Sequence, residues 1–224
     1  MHATLPRSAP HTLAVGELHV EPADIRLGHD RKRVLLTEHG ATRAVGTASE
    51  ILSIADERGV PSLRRVHTLD SRELGMVRVE VLMSPTTFAP LRSQSAGLLG
   101  TSSLAYDAAG VHGSVSDPDG APTAVAELLE RPVFDAHAVE VILRSLPLAP
   151  GYAVQIPAYL THARAVVAVG VQVEALAECA GEPAWRVAVD FGHLRCTYWI
   201  SAATHAVLRQ DVPLSDSATL SFVR

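Results

Sequence analysis

Proton transfer inside a pocket needs an imidazole or a carboxylate on a segment that points inward, where burial can shift its pKa. The sequence contains eleven histidines. His2 and His11 stand in a polar stretch with prolines, His39, His193 and His205 among turn residues, and His137 at the start of an apolar helical run. His19, His67 and His162 lie in or beside runs of alternating character, where a side chain can face an interior. Carboxylates on comparable runs are Glu80, Glu174 and Asp190. The candidate acid–base groups are therefore His67, Glu80, His162 and Glu174. Each also has a plainer role, as a hydrogen-bonded core histidine or as half of an ion pair: Glu80 with Arg65 or Arg78, Asp190 with Arg195.

No two histidines have the i, i+2 or i, i+4 spacing that builds a metal-binding face, so no metal site is expected. Nucleophile-elbow, phosphate-loop, dinucleotide-binding, CxxC and HExxH motifs do not occur in a fitting context. No cofactor is called for.

The elements that must position these residues are short alternating runs separated by turn signals. The spacing predicts strands over Thr12–Val20, Lys32–Glu38, Thr42–Ala55, Leu63–Leu69, Met76–Met83, Leu91–Ala96, Ser102–Tyr106 and Val111–Val115. A second series covers Ala153–Pro157, Ala163–Leu176, Trp185–Phe191, Leu194–Ile200, Ala206–Val212 and Ala218–Val223. Ala124–Glu130 reads as either a strand or a helical turn. One segment has helical period: Ala136, Val139, Ile142, Leu143 and Leu146 follow Asp135, a good N-cap, and Pro147 ends the run. A helix is expected over Ala136–Ser145. The fold class is mainly β, a curved antiparallel sheet or barrel of about ten or more strands with one short covering helix. Residues 1–11 read as a flexible arm and 12–224 as a single barrel-like domain.

Register is best specified near the C-terminus. Gly192-His193 is a two-residue loop with glycine first, which sets Phe191 opposite Leu194. Val189 then faces Cys196, Val187 faces Tyr198 and Trp185 faces Ile200, while Asp190 faces Arg195 on the other side. If Ile200 faces Ala206, Tyr198 meets Leu208 and Arg195 meets Asp211. In the long run Ala163–Leu176, Val167, Val169 and Val171 share a face, and Gly170 is a place for a bend. In the run Leu63–Leu69, Arg65 and His67 share the face of Leu63 and Leu69, and an odd-sum register would set His67 against Arg78 or Glu80. An apolar cavity would be lined by Val167, Val169, Val171, Val187, Trp185 and Tyr198.

The 224 residues carry a net charge of −5, with 47% hydrophobic and 19% charged residues. That excludes a disordered chain and gives no electrostatic reason to expect a nucleic acid partner. No stretch is long and apolar enough to span a membrane as a helix. Basic charge rests on arginine, with one lysine, Lys32. Cys179 and Cys196 read as free, buried thiols.

In chain order stand Phe134-Asp135, Leu146-Pro147-Leu148, Pro150-Gly151-Tyr152, Val173-Glu174, Ala180-Gly181-Glu182, Trp185-Arg186-Val187 and Thr197-Tyr198-Trp199-Ile200. This succession resembles an uncharacterised domain of many exported bacterial proteins, a family of unknown function, over roughly residues 30–224. Its general plan is similar to that of the lipoprotein carriers of the bacterial envelope. Those have a curved antiparallel sheet, an incomplete barrel with helix cover, and an apolar interior for acyl chains. The resemblance implies a binding scaffold and transfers no catalytic residue. The chain as given departs from that family in lacking a signal peptide and a lipobox cysteine, which reads as cytoplasmic. A trimmed periplasmic protein would read the same.

Three functions fit these observations. The first is non-enzymatic binding of an apolar small molecule or lipid inside the barrel. The second is a cofactor-independent cyclase or isomerase acting on an apolar natural product, which predicts a deep pocket with a buried histidine or carboxylate. The third is a structural domain with a filled core, whose strand edges pair between subunits into a homo-oligomer.

Overall fold

A computed structural model describes residues 10–21, 25–57 and 59–224. Sixteen strands form one sheet. A two-residue strand β1 (His11–Thr12) precedes a meander of β2 (Gly28–Glu38), β3 (Ala41–Glu57), β4 (Val60–Ser71) and β5 (Gly75–Met83). The meander continues through β6 (Pro90–Gly97), β7 (Gly100–Tyr106), β8 (Gly110–Ser116) and β9 (Thr123–Leu128). After β10 (Phe134–Asp135) comes a single helical segment, one 3-10 turn at Ala136–Ala138 running into α1 (Val139–Leu143). A second meander follows: β11 (Ala153–Leu160), β12 (Ala165–Cys179), β13 (Glu182–Asp190), β14 (Arg195–Ser201), β15 (Val207–Ser215) and β16 (Ala218–Val223). The two meanders are sewn together where β16 pairs antiparallel with β2. Among the described residues only β1 and β10 run parallel to their neighbour, β11.

Local chemistry sets the hairpins. Between β2 and β3 the loop is His39-Gly40, with φ of 48° and 82°. Between β12 and β13 it is Ala180-Gly181, with φ of 52° and 84°. Two left-handed residues in succession are the tight turn whose twist matches flanking strands, and glycine at the second position halves the steric cost.

The sheet is curved and does not close. β9 ends its path on one side and β1 and β10, both on β11, end the other. The seam between them is sealed by side chains: Leu104, Val111 and Val125 of β7–β9 pack with Val133 and Tyr159. The concave face wraps α1, and all five α1 residues are buried. Asp135 caps the helical segment as expected, its carboxylate accepting from the His137 amide at 2.7 Å. The segment ends at Leu143 rather than Ser145, with Arg144 and Ser145 in a turn.

The register set by Gly192-His193 holds throughout, from Asp190 opposite Arg195 to Trp185 opposite Ile200. The next step differs. A bulge at Trp199/Ile200 places Ile200 opposite Val207, Tyr198 opposite Gln210 and Thr197 opposite Asp211. One extra residue on a strand shifts all pairing beyond it. The expected Arg195–Asp211 contact therefore gives way to Arg209–Asp211 at 2.8 Å. In β4 and β5 the register has an even sum, so His67 faces Val79 and Glu80 faces Val66. The irregularity in β12 falls between Val173 and Ala175, not at Gly170. The ambiguous run Ala124–Glu130 is strand β9. Of Thr12–Val20 only Thr12 is strand, and His19 is exposed in a connection. Residues 1–9 of the expected arm lie outside the described residues, while His11 belongs to β1. Both cysteines are free, Cys196 buried and Cys179 partly so.

Candidate functional site

The interior holds a chain of charges. Alternation along β2 points Lys32 inward with Val34 and Leu36. On β3, Glu50 faces inward between Ala48 and Leu52, and on β4, Arg65 shares the inner face with Leu63. Glu140 and Arg144 are four residues apart, one helical turn, so both reach the same wall of the sheet. Lys32, Glu50, Arg65 and Glu140 are only 5–9% exposed.

The links alternate in sign. Lys32 Nζ donates to Glu140 Oε1 at 2.9 Å. Arg65 Nη2 donates to Glu140 Oε2 at 3.3 Å, and Arg65 Nε to Glu50 Oε2 at 2.7 Å. Arg144 Nη1 donates to Glu50 Oε1 at 2.7 Å. Arg65 Nη1 also donates to the His137 carbonyl at 2.7 Å, and His205 Nδ1 lies 2.7 Å from the Arg144 carbonyl. The helical segment is thus tied to the sheet at both ends. Burial alone would raise the Glu140 pKa, but Lys32 and Arg65 hold it well below the usual carboxylate range. Burial also works against the Arg65 charge, which Glu50 and Glu140 outweigh, so its pKa rises. His67 lies on the same inner face, directly opposite Glu50. Burial, then the neighbouring Arg65 charge, lowers its pKa to about 4, so it is neutral at pH 7.

The other sequence candidates lie elsewhere. Glu80 faces outward and takes Arg64 at 2.8 Å and Arg78 at 3.0 Å. Hydrogen bonding to Arg64 lowers its pKa. Glu174 is exposed at the β12 irregularity, 3.0 Å from Arg186 and 3.8 Å from Arg195. His162 is exposed in the turn between β11 and β12. The apolar residues do come together. Val169, Val171, Val187 and Tyr198 are in the main core, with Val167 and Trp185 packed against it. Tyr198 accepts a hydrogen bond from Gln210 at 2.8 Å, and burial raises its pKa well above the ordinary value. Val139, Val141, Ile142 and Leu143 of α1 belong to the same core cluster, so the face is covered, not open.

Sequence reasoning placed Arg65 on an apolar face but did not connect Lys32, Glu50, Glu140 and Arg144. The signals were present: the only lysine at an inward position, Glu50 between two apolar inward residues, and a glutamate inside the apolar run Val139–Leu143.

Two small cavities open beside Arg144. One, of about 40 Å³, is lined by Arg26, Asp30, Glu50, Glu140, Arg144 and Arg224, among others, with Leu52 and Val207 of the core forming part of its wall. The other, about 30 Å³, shares Arg26 and Arg144 and touches Val141 and His205. The first is large enough for a few waters. Among the described residues no group of three or more His, Cys, Asp or Glu could hold a metal ion, and no helix is long and apolar enough to cross a membrane.

The family model described as "Protein of unknown function (DUF3108)" matches residues 36–223. No curated protein matches the sequence. Among solved structures, a crystal structure described as a beta-barrel-like protein of domain of unknown function DUF1849, from Brucella abortus, is similar in fold. Its TM-score is 0.53 at 10% identity, over 88% of this chain and 96% of that one.

Proposed function

This chain belongs to the DUF3108 family, proteins of unknown function, and from its geometry we propose that it is a non-enzymatic binding domain for an apolar small molecule or lipid. The ligand lies against the concave face formed by Val167, Val169, Val171, Val187, Trp185 and Tyr198, taking the place of the packing that covers this face in the structure. The observation that carries this reading is how the interior is closed. Among the described residues no backbone ladder joins β9 to β1 or β10; the seam is held by side chains of β7–β9 against Val133 and Tyr159. Parting that seam breaks packing and the hydrogen bond that the Tyr106 hydroxyl donates to Asp135, but no sheet hydrogen bond among the described residues, so the interior can be entered without unfolding the ladder. The cover is a helical segment of eight residues, Ala136–Leu143, not a second sheet.

The interior carboxylates support a holding role. Glu50 and Glu140 are each bonded to two cations, one at each carboxylate oxygen, which occupies both oxygens of both groups. Glu80 and Glu174 sit in outer-face ion pairs.

The test uses the full chain and N-phenyl-1-naphthylamine, a neutral apolar dye. Saturable binding of about one dye per chain, with quenching of tryptophan fluorescence through Trp185, supports the reading. A linear, unsaturable response overturns it. Native mass spectrometry of gently purified protein adds a second readout: a co-purifying apolar mass released on denaturation identifies the chemical class held.

A further inference from the structure

The interior charge chain begins and ends on a cation. Lys32, Arg65 and Arg144 face only two carboxylates, Glu50 and Glu140, and Arg26 lines the same mouth. Asp30 is already matched by Arg224 at 3.0 Å. Among the described residues two positive charges are therefore in excess at this end of the barrel, in a chain whose net charge is −5. His67 adds none at pH 7, since burial and the Arg65 charge lower its pKa to about 4.

The donors are in excess as well. Arg144 gives one hydrogen bond, through Nη1 to Glu50, and its side chain is only 14% exposed. Its Nε and Nη2 have no protein acceptor among the described residues. Arg144 lines both cavities, and so does Arg26. A guanidinium buried to this degree with unused donors is complementary to an oxyanion, which its planar fork can bind through two hydrogen bonds. The carboxylates in the wall do not oppose this, because Glu50 and Glu140 share the three cations Lys32, Arg65 and Arg144 and Asp30 is paired with Arg224. Leu52, Val207 and Val141 bring the apolar core up to the same mouth.

We propose that the mouth beside Arg144 binds the carboxylate or phosphate head of an amphipathic ligand whose apolar part lies against the concave face. This rests on the apolar-binding reading above and narrows it to anionic amphiphiles. Arg144 holds the head through Nε and Nη2, and Arg26 adds charge from the rim.

The experiment is displacement of N-phenyl-1-naphthylamine from the full chain by 1-decanol, decanoate and decyl phosphate, three ligands with one tail. Decanoate, decyl phosphate or both should displace the dye at concentrations about tenfold lower than decanol, the range for a hydrogen bond to a charged group. One molar salt should shrink that gap. Arg144→Gln should erase it while leaving decanol unchanged, and Arg26→Gln, on the exposed rim, should reduce it without disturbing the buried chain. Preference for decanoate or for decyl phosphate identifies which head the site takes. Equal displacement by all three overturns the anion site and leaves the apolar reading standing. Binding of inorganic phosphate that Arg144→Gln abolishes, with no dye or decanol bound, keeps the anion site and overturns the apolar reading. Failure of every ligand and of the dye overturns both.

Discussion

Lys32→Met isolates the charge chain that ties the helical segment to the sheet. Lys32 and Glu140 are 2.9 Å apart, with side chains 8% and 10% exposed. At an effective dielectric near 20, that separation corresponds to about 6 kcal/mol of attraction. Removing the lysine also removes its own desolvation cost, which is several kcal/mol for a buried ion. Breaking one side of a buried pair typically costs about 3–5 kcal/mol, because the other charge stays behind. Here Glu140 keeps Arg65 at 3.3 Å, so the loss should be about 2–4 kcal/mol. Urea unfolding, followed by tryptophan fluorescence and fitted with a common slope, should show the midpoint falling by about 1 M. Glu140→Leu should cost a similar amount. The double variant should lose clearly less than the sum, since neither ion is then stranded. A midpoint change below about 0.3 M for Lys32→Met, or strict additivity in the cycle, would refute the argument that these two charges are buried against each other.

The His67 pKa, lowered from 6.5 to about 4, makes stability depend on pH. The unfolded chain takes up this proton below 6.5 while the folded chain refuses it until about 4, so stability falls as pH drops through that window. The loss is at most about 3 kcal/mol, and His67→Gln should flatten much of it; equal unfolding midpoints at pH 7 and pH 5 in the unsubstituted protein would contradict it. Below the ordinary carboxylate range a further loss follows from Glu140 and Glu80, whose folded pKa values are lowered by their cations. Lys32, the only lysine, should resist an amine-reactive reagent in the native state and react on unfolding, as read by peptide mass mapping; rapid native labelling would show it exposed. A Cβ at Gly46 would lie 2.2 Å from the Asp70 carbonyl oxygen, so Gly46→Ala should lower the thermal midpoint, at a cost of about 1–3 kcal/mol. Glu174→Gln, on the exposed face, should change stability by less than about 1 kcal/mol and leave dye binding unaltered; a larger effect in the same titration would give Glu174 a role its position does not suggest.

Much of the fold was legible because its determinants are local. Alternation marks a strand whatever its neighbours are, and a two-residue glycine loop allows one pairing, so β13 and β14 could be aligned residue by residue. Asp135 before an apolar helical run and Pro147 after it located the helical segment to within a few residues. The same alternation grouped Val169, Val171, Val187 and Tyr198 on one face, which is the face that became the core.

What alternation cannot register is an extra residue. Pairing begins with Ile200 opposite Val207 instead of Ala206, and the bulge at Trp199/Ile200 adds a second step, so Asp211 faces Thr197 and not Arg195. Nor does a strand pattern say which of two turn-linked faces is concave. Glu80 and His67 both lie in alternating runs, yet one is outside, paired with Arg64, and the other inside, facing Glu50. The charge chain needed still more. Lys32, Glu50, Arg65, Glu140 and Arg144 come from three strands and a helix, and Lys32 and Glu140 are 108 positions apart. Their contact is decided when the sheet curls around α1. Burying a charge is tolerable only beside its opposite, and only the tertiary structure supplies that neighbour. By itself the sequence determined strands, turns, one capped helix and an apolar face. Curvature of the whole sheet decided that this face would be covered from within, and that five isolated charges would become one network.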